Sequence, residues 1–125
     1  MTVRWQGEIA DAELRAGLAD LDRWLSLGLP FTLLIDARGG WPFSAAQRSS
    51  VVAHINAHRR TTERLLVQAV VIDNALIRAL YYAVNWAVPL PFPSKVFADV
   101  EPARAWLAVQ LEARQRQARE IGAAP

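Results

Sequence analysis

Hydrophobic positions in this chain fall into short apolar runs separated by stripes at helical spacing. Leu14, Leu18, Leu21 and Leu25 recur at i, i+4, i+7 and i+11 behind Asp11, a candidate cap. That spacing predicts an amphipathic helix ended by Gly28 and Pro30. Val3 to Ile9 precede it as a candidate first strand. Phe31 to Ile35 and Leu65 to Ile72 are nearly continuous apolar runs, the mark of strands buried on both faces. Between them Ser44 opens a second helix with Gln47 three residues on. In this capping-box pattern each side chain satisfies a backbone donor of the first turn. Val51, Val52 and Ile55 supply its apolar face, and Arg59, Arg60, Thr61 and Thr62 close it. Asn74 to Trp86 reads as a third helix with Leu76, Leu80, Ala83 and Val84 as its stripe. Lys95 to Ala98 is a fourth strand. A last helix follows, with Asp99 as its cap and Pro102 in its first turn, where a missing N–H costs little.

The order β-α-β-α-β-α-β-α predicts a single small α/β domain with a four-stranded, mainly parallel sheet and right-handed crossovers. Residues 1–113 are expected to form the domain, and 114–125 a polar helical extension and tail. With strands in sequential order, right-handed crossovers place every helix on one face. The other face then needs a terminal segment, a shifted helix or a second subunit, which makes a homodimer one expectation.

Composition narrows the function classes. An apolar fraction of 53% is ample for a core and excludes disorder. Thirteen arginines and one lysine stand against twelve acids, for a net charge of +2, so the concentrated basic face of a nucleic-acid binder is not expected. The absence of cysteine excludes disulfides and thiolate-bound metals. The N-terminus has no apolar core like that of a signal peptide, and no apolar run approaches a membrane span. A cytoplasmic protein without membrane insertion is expected.

Catalytic equipment is sparse. Asp36, Asp73 and Asp99 fall at the carboxyl ends of three strands, where ligands of open α/β sheets gather and where a hard cation would want oxygens. Asp at such junctions is more commonly a turn or cap residue, and that reading outweighs a magnesium site. Gly39-Gly40 matches no phosphate-loop pattern and reads as a turn. His54 and His58, at i and i+4 on one helix, have zinc-binding spacing, but the sequence offers no HExxH motif and no obvious third ligand. They read as a solvated face beside Arg59 and Arg60. Ser44 has no GxSxG elbow. No catalytic residue, cofactor or metal is therefore expected. Arg78, in a first helical turn, is a candidate anion-binding residue or a salt-bridge partner of Asp73.

The segment from Trp86 to Pro93 is the candidate interaction surface. Pro89, Pro91 and Pro93 hold it extended. Trp86 is expected to be mostly buried at a helix end, with Leu90 or Phe92 more exposed to a partner or acyl chain. The alternative is that the loop folds back and completes the core. Trp41 and Phe43 carry the same ambiguity.

Several stretches carry a resemblance: Gly7-Glu8, Leu33-Leu34-Ile35-Asp36, Asp73-Asn74-Ala75-Leu76-Ile77-Arg78, Asn85-Trp86, Val96-Phe97-Ala98 and Ala105-Trp106-Leu107. From about Gly7 to Leu111 the chain resembles STAS domains, in the divergent bacterial SpoIIAA-like branch related to anti-sigma-factor antagonists and sometimes grouped with CRAL-TRIO-like domains. The resemblance implies a non-enzymatic protein-interaction domain in bacterial signalling. The CRAL-TRIO likeness implies, as the alternative, a binding module for a lipid or other apolar small ligand. Antagonists carry an Asp-Ser-Ser-Gly-like motif whose serine is phosphorylated. Here the region reads Trp41-Pro42-Phe43-Ser44-Ala45-Ala46, so Ser44 is the candidate regulatory phosphosite in a motif that lacks the flanking Asp and Gly.

Overall fold

A computed structural model describes residues 1–4, 9–38, 44–87 and 89–123, with residues 121–123 described by backbone alone. Expectations that fall on Gly7-Glu8, Gly39-Gly40, Trp41 and Phe43 lie outside the described residues. The elements run β1 (Thr2–Arg4), α1 (Asp11–Ser26), β2 (Phe31–Asp36), α2 (Ala45–Ala57), α3 (Arg59–Leu65), β3 (Leu66–Val71), α4 (Ala75–Ala87), β4 (Ser94–Phe97) and α5 (Val100–Ala123). The four strands pair in parallel in the order β1-β2-β3-β4. This is the expected sheet, with one helix more than expected. The polar stretch expected to close α2 instead turns into α3. Thr62 is fully buried there because its hydroxyl donates to the carbonyls of His58 and Arg59, which removes the cost of burying it.

The two faces of the sheet pack differently. Leu33, Ile35, Leu66 and Val70 face α1, α2 and α4 in one core cluster. Leu34, Val67, Ala69 and Val71 alternate with them and face α5, which brings Ala103 and Leu107 onto the sheet. Right-handed crossovers place the connecting helices on the first face. Helix α5 takes the second face, where the small side chains of Ala69 and Ala103 share one cluster. The terminal segment thus covers the face for which a second subunit was one of the expected solutions.

Local signals act largely as the chemistry requires. Gly28 adopts a positive φ of 69°, the left-handed geometry that ends α1 at little cost only for glycine. Asp11 lies inside α1, whose cap position is Ala10. At α2 the capping box is complete: Ser44 Oγ accepts from the Gln47 N–H at 3.1 Å, and Gln47 Oε1 accepts from the Ser44 N–H at 3.0 Å. Gln47 Nε2 also donates to Ile9 O and Asp11 Oδ1, tying this helix start to that of α1. Asn74, not Asp73, caps α4, its Oδ1 accepting from the N–H groups of Leu76 and Ile77.

Candidate functional site

Helix α4 presents the most unusual surface. Its inward residues are Ile77, Tyr81 and Val84, and of the expected stripe only Val84 turns inward. Leu76 and Leu80 point outward at 70% and 59% exposure, with Tyr82 beside them. Trp86, expected in the core, is 89% exposed, and Phe92, expected at the surface, is only 5% exposed. The reversal has a physical cause. Asn85, the residue before Trp86, lies on the inner side with Tyr81, which turns Trp86 outward. The proline segment then doubles back. Pro93 O accepts from Gln68 N–H at 2.9 Å, seating Phe92 in the core and Leu90 half-buried against it.

Apart from tyrosine hydroxyls, α4 has two polar side chains, and both make internal bonds. Arg78 Nη1 donates to Ile72 O at 2.7 Å, and among the described residues it forms no ion pair with Asp73. Asn85 bonds with the Tyr81 side chain. The outer arc of Leu76, Ala79, Leu80, Tyr82, Ala83 and Trp86 is left apolar apart from one phenol and one indole N–H.

Behind α4, a cavity of about 930 Å³ separates the first sheet face from α1, α2 and α4. Leu33, Ile35, Val70, Val51, Ile55 and Val84 contribute to its apolar lining. A polar patch interrupts it. Gln68, buried in the central strand β3, donates through Nε2 to Ser94 Oγ at 3.0 Å. Tyr81 joins them; burial pushes its hydroxyl above the usual tyrosine range, and hydrogen bonds with Asn85, Ser94 and Gln68 work against that rise. Arg48 also lines the cavity, and its Nε is buried without a hydrogen-bond partner among the described residues.

At the carboxyl edge of the sheet, Asp36 is 4% exposed and gripped at two points, Arg38 Nε to Oδ1 and Nη2 to Oδ2, each 2.8 Å. Arg4 Nε approaches Oδ2 at 3.4 Å. The Arg38 hydrogen bonds hold the Asp36 carboxyl below its usual range, overcoming the opposing effect of burial. Asp73 and Asp99 stabilise the same guanidinium from farther away. The cation clasped at this strand end is Arg38. The groove beside it, about 410 Å³, includes Arg4, Asp99, Glu101 and Arg104 and is internally balanced in charge.

A third cluster joins separate elements. Asp22 of α1 meets His54 and His58, its Oδ1 lying 2.7 Å from His54 Nε2 and 3.7 Å from His58 Nε2. Sequence reasoning missed Asp22 because nothing in spacing links it to a helix 32 residues later.

The sequence model of the SpoIIAA-like family matches residues 1–108, including all four strands and the first turns of α5. The chain belongs to the SpoIIAA-like family. No curated relative and no solved structure matches it. The SpoIIAA-like match spans the cavity, the exposed α4 face and the Asp36 edge, and it ends just after Leu107, the last α5 residue of the second core cluster. Among the described residues, no helix is long and apolar enough to cross a membrane.

Proposed function

We propose that this is a non-enzymatic protein-interaction domain of the bacterial regulatory kind, and that the outer face of α4 docks its partner. The supporting observation is the exposed apolar arc of Leu76, Leu80, Tyr82 and Trp86 on a helix whose polar side chains are used internally. Contiguous exposed apolar surface marks an interaction site. The test is capture from the source cell by wild type, Leu80→Glu and Trp86→Ser, with a photo-crosslinker at position 86 to locate the contact. Both variants should keep the wild-type melting temperature and lose the crosslinked partner. An unchanged partner set would reject this face. Light scattering on the same proteins tells whether a second copy is the occupant.

A second reading rests on the cavity. Its apolar lining, the patch of Gln68, Tyr81 and Asn85, and the unpartnered Arg48 Nε suit a ligand with a hydrocarbon body and a hydrogen-bond acceptor, such as a fatty acid. Native mass spectrometry after incubation with a long-chain fatty acid should show a complex. Arg48→Met should weaken it, and no complex at saturating ligand would reject the reading.

A further inference from the structure

We propose that Asp22, His54 and His58 form a zinc site on the outer side of the helical layer. Three ligands of two types that zinc accepts converge from two helices and the α2–α3 junction, and their ligating atoms all lie within 4.8 Å of one another. A tetrahedral ion with bonds of about 2.0–2.1 Å separates its ligand atoms by roughly 3.3–3.4 Å. The Asp22–His54 contact at 2.7 Å must open and the Asp22–His58 contact at 3.7 Å must close, each by a fraction of an ångström, and the two imidazole nitrogens, within 4.8 Å of each other, must draw together. Side-chain rotation supplies such movements without shifting either helix.

The chemistry selects the ion. Two imidazoles and one carboxylate favour a borderline transition metal over magnesium or calcium, which want oxygen throughout. Three protein ligands with a fourth position facing water is an arrangement zinc takes readily. Access is open, since the side chains of Asp22 and His58 are 42% and 44% exposed.

The location gives the ion a purpose. His58 sits at the break between α2 and α3, and the neighbours Leu21 and Ile55 are core residues that also line the cavity. Bound zinc ties α1 to that junction and stiffens two walls of the cavity from outside. The site stands independently of whatever occupies the cavity or the α4 face.

The test is calorimetric titration of the full chain with zinc chloride, using wild type, Asp22→Asn, His54→Ala and His58→Ala. Wild type should take up one ion per chain, and each variant should bind at least about tenfold more weakly, or roughly 1.4 kcal/mol. Zinc should raise the wild-type melting temperature and leave that of His58→Ala unchanged. Asp22→Asn is the decisive variant because a histidine pair one turn apart binds zinc weakly by itself. Equal affinity of wild type and Asp22→Asn would reduce the site to that pair and overturn the proposal. So would wild-type binding no tighter than about 1 mM.

Discussion

Arg38 grips the buried carboxylate of Asp36 through two parallel hydrogen bonds of 2.8 Å, in the place the sequence offered to a metal ion. The geometry is the bidentate fork that guanidinium makes with carboxylate. It also neutralises the end of a central strand, where an unpaired charge would be costly.

Arg38→Met should therefore lower stability at neutral pH, because it leaves the buried Asp36 carboxylate without its two-point clasp. The folded-state pKa of Asp36 is depressed, so its stabilisation is fully present above the ordinary carboxylate value of about 3.9. That stabilisation disappears as pH falls through the depressed folded value. Denaturant unfolding across the acid range should show wild type and variant converging below that point. A gap that persists at the lowest pH would mean the loss comes from packing, not charge.

The exchange of places between Trp86 and Phe92 makes an opposed pair of expectations. Phe92→Ala should cost about 3–5 kcal/mol, as large-to-small core changes do. Trp86→Ala should stay within about 0.5 kcal/mol, as surface changes usually do. Thermal melts of the two variants decide the matter, and a large loss from Trp86→Ala alone would return the indole to the core.

What the sequence made legible follows from how strongly each pattern was constrained. The runs at Phe31 to Ile35 and Leu65 to Ile72 implied double-sided burial, and α5 together with the opposite helical layer provides it. Leu14, Leu18, Leu21 and Leu25 had polar neighbours to define their stripe, and three are buried with Leu18 half-buried. Helix α4 had no such contrast. The expected stripe of Leu76, Leu80, Ala83 and Val84 fits helical spacing as well as Ile77, Tyr81 and Val84 do, with only Val84 in both, so periodicity could not tell inside from outside. The Asp36–Arg38 clasp spans two residues, yet a strand-end Asp reads equally as a cap, a metal ligand or an ion-pair partner. Thr62 hid α3, because its polarity argued for a helix end while its hydroxyl was satisfied by the helix itself.

Ser44→Ala should lower stability by about 1 kcal/mol, the typical worth of an N-cap. Ser44→Asp should retain most of it, since a carboxylate accepts from the same N–H and suits the helix dipole. Comparing partner capture by the two variants separates capping from control by phosphorylation. Loss of capture with Ser44→Asp alone would support the regulatory serine.

The tail offers a sharper cut than its polarity suggests. Arg114 Nη1 donates to the carbonyls of Glu63 and Arg64 at 3.0 and 2.8 Å, placing a cation at the end of α3. A chain ending after Arg116 should melt like the full length, whereas one ending after Ala113 should lose about 1 kcal/mol. Equal melting temperatures would show that water replaces the arginine at no cost.

Gly17 gives a direct probe of the cavity. It lies within α1, lines the cavity, and a Cβ built there meets nothing within 4 Å. Its φ is not in the left-handed region, so no strain opposes a side chain. Gly17→Ala should stabilise the domain by about 0.5–1 kcal/mol through reduced backbone entropy in the unfolded chain. Gly17→Leu should be tolerated as well, because the added carbons enter open space, and it should take up volume that a fatty acid would need. Melting temperature reports the first effect and native mass spectrometry with the fatty acid reports the second. Destabilisation by Gly17→Leu would mean that α1 closes onto the sheet in solution. A stable Gly17→Leu that binds the fatty acid as well as wild type does would place that ligand elsewhere.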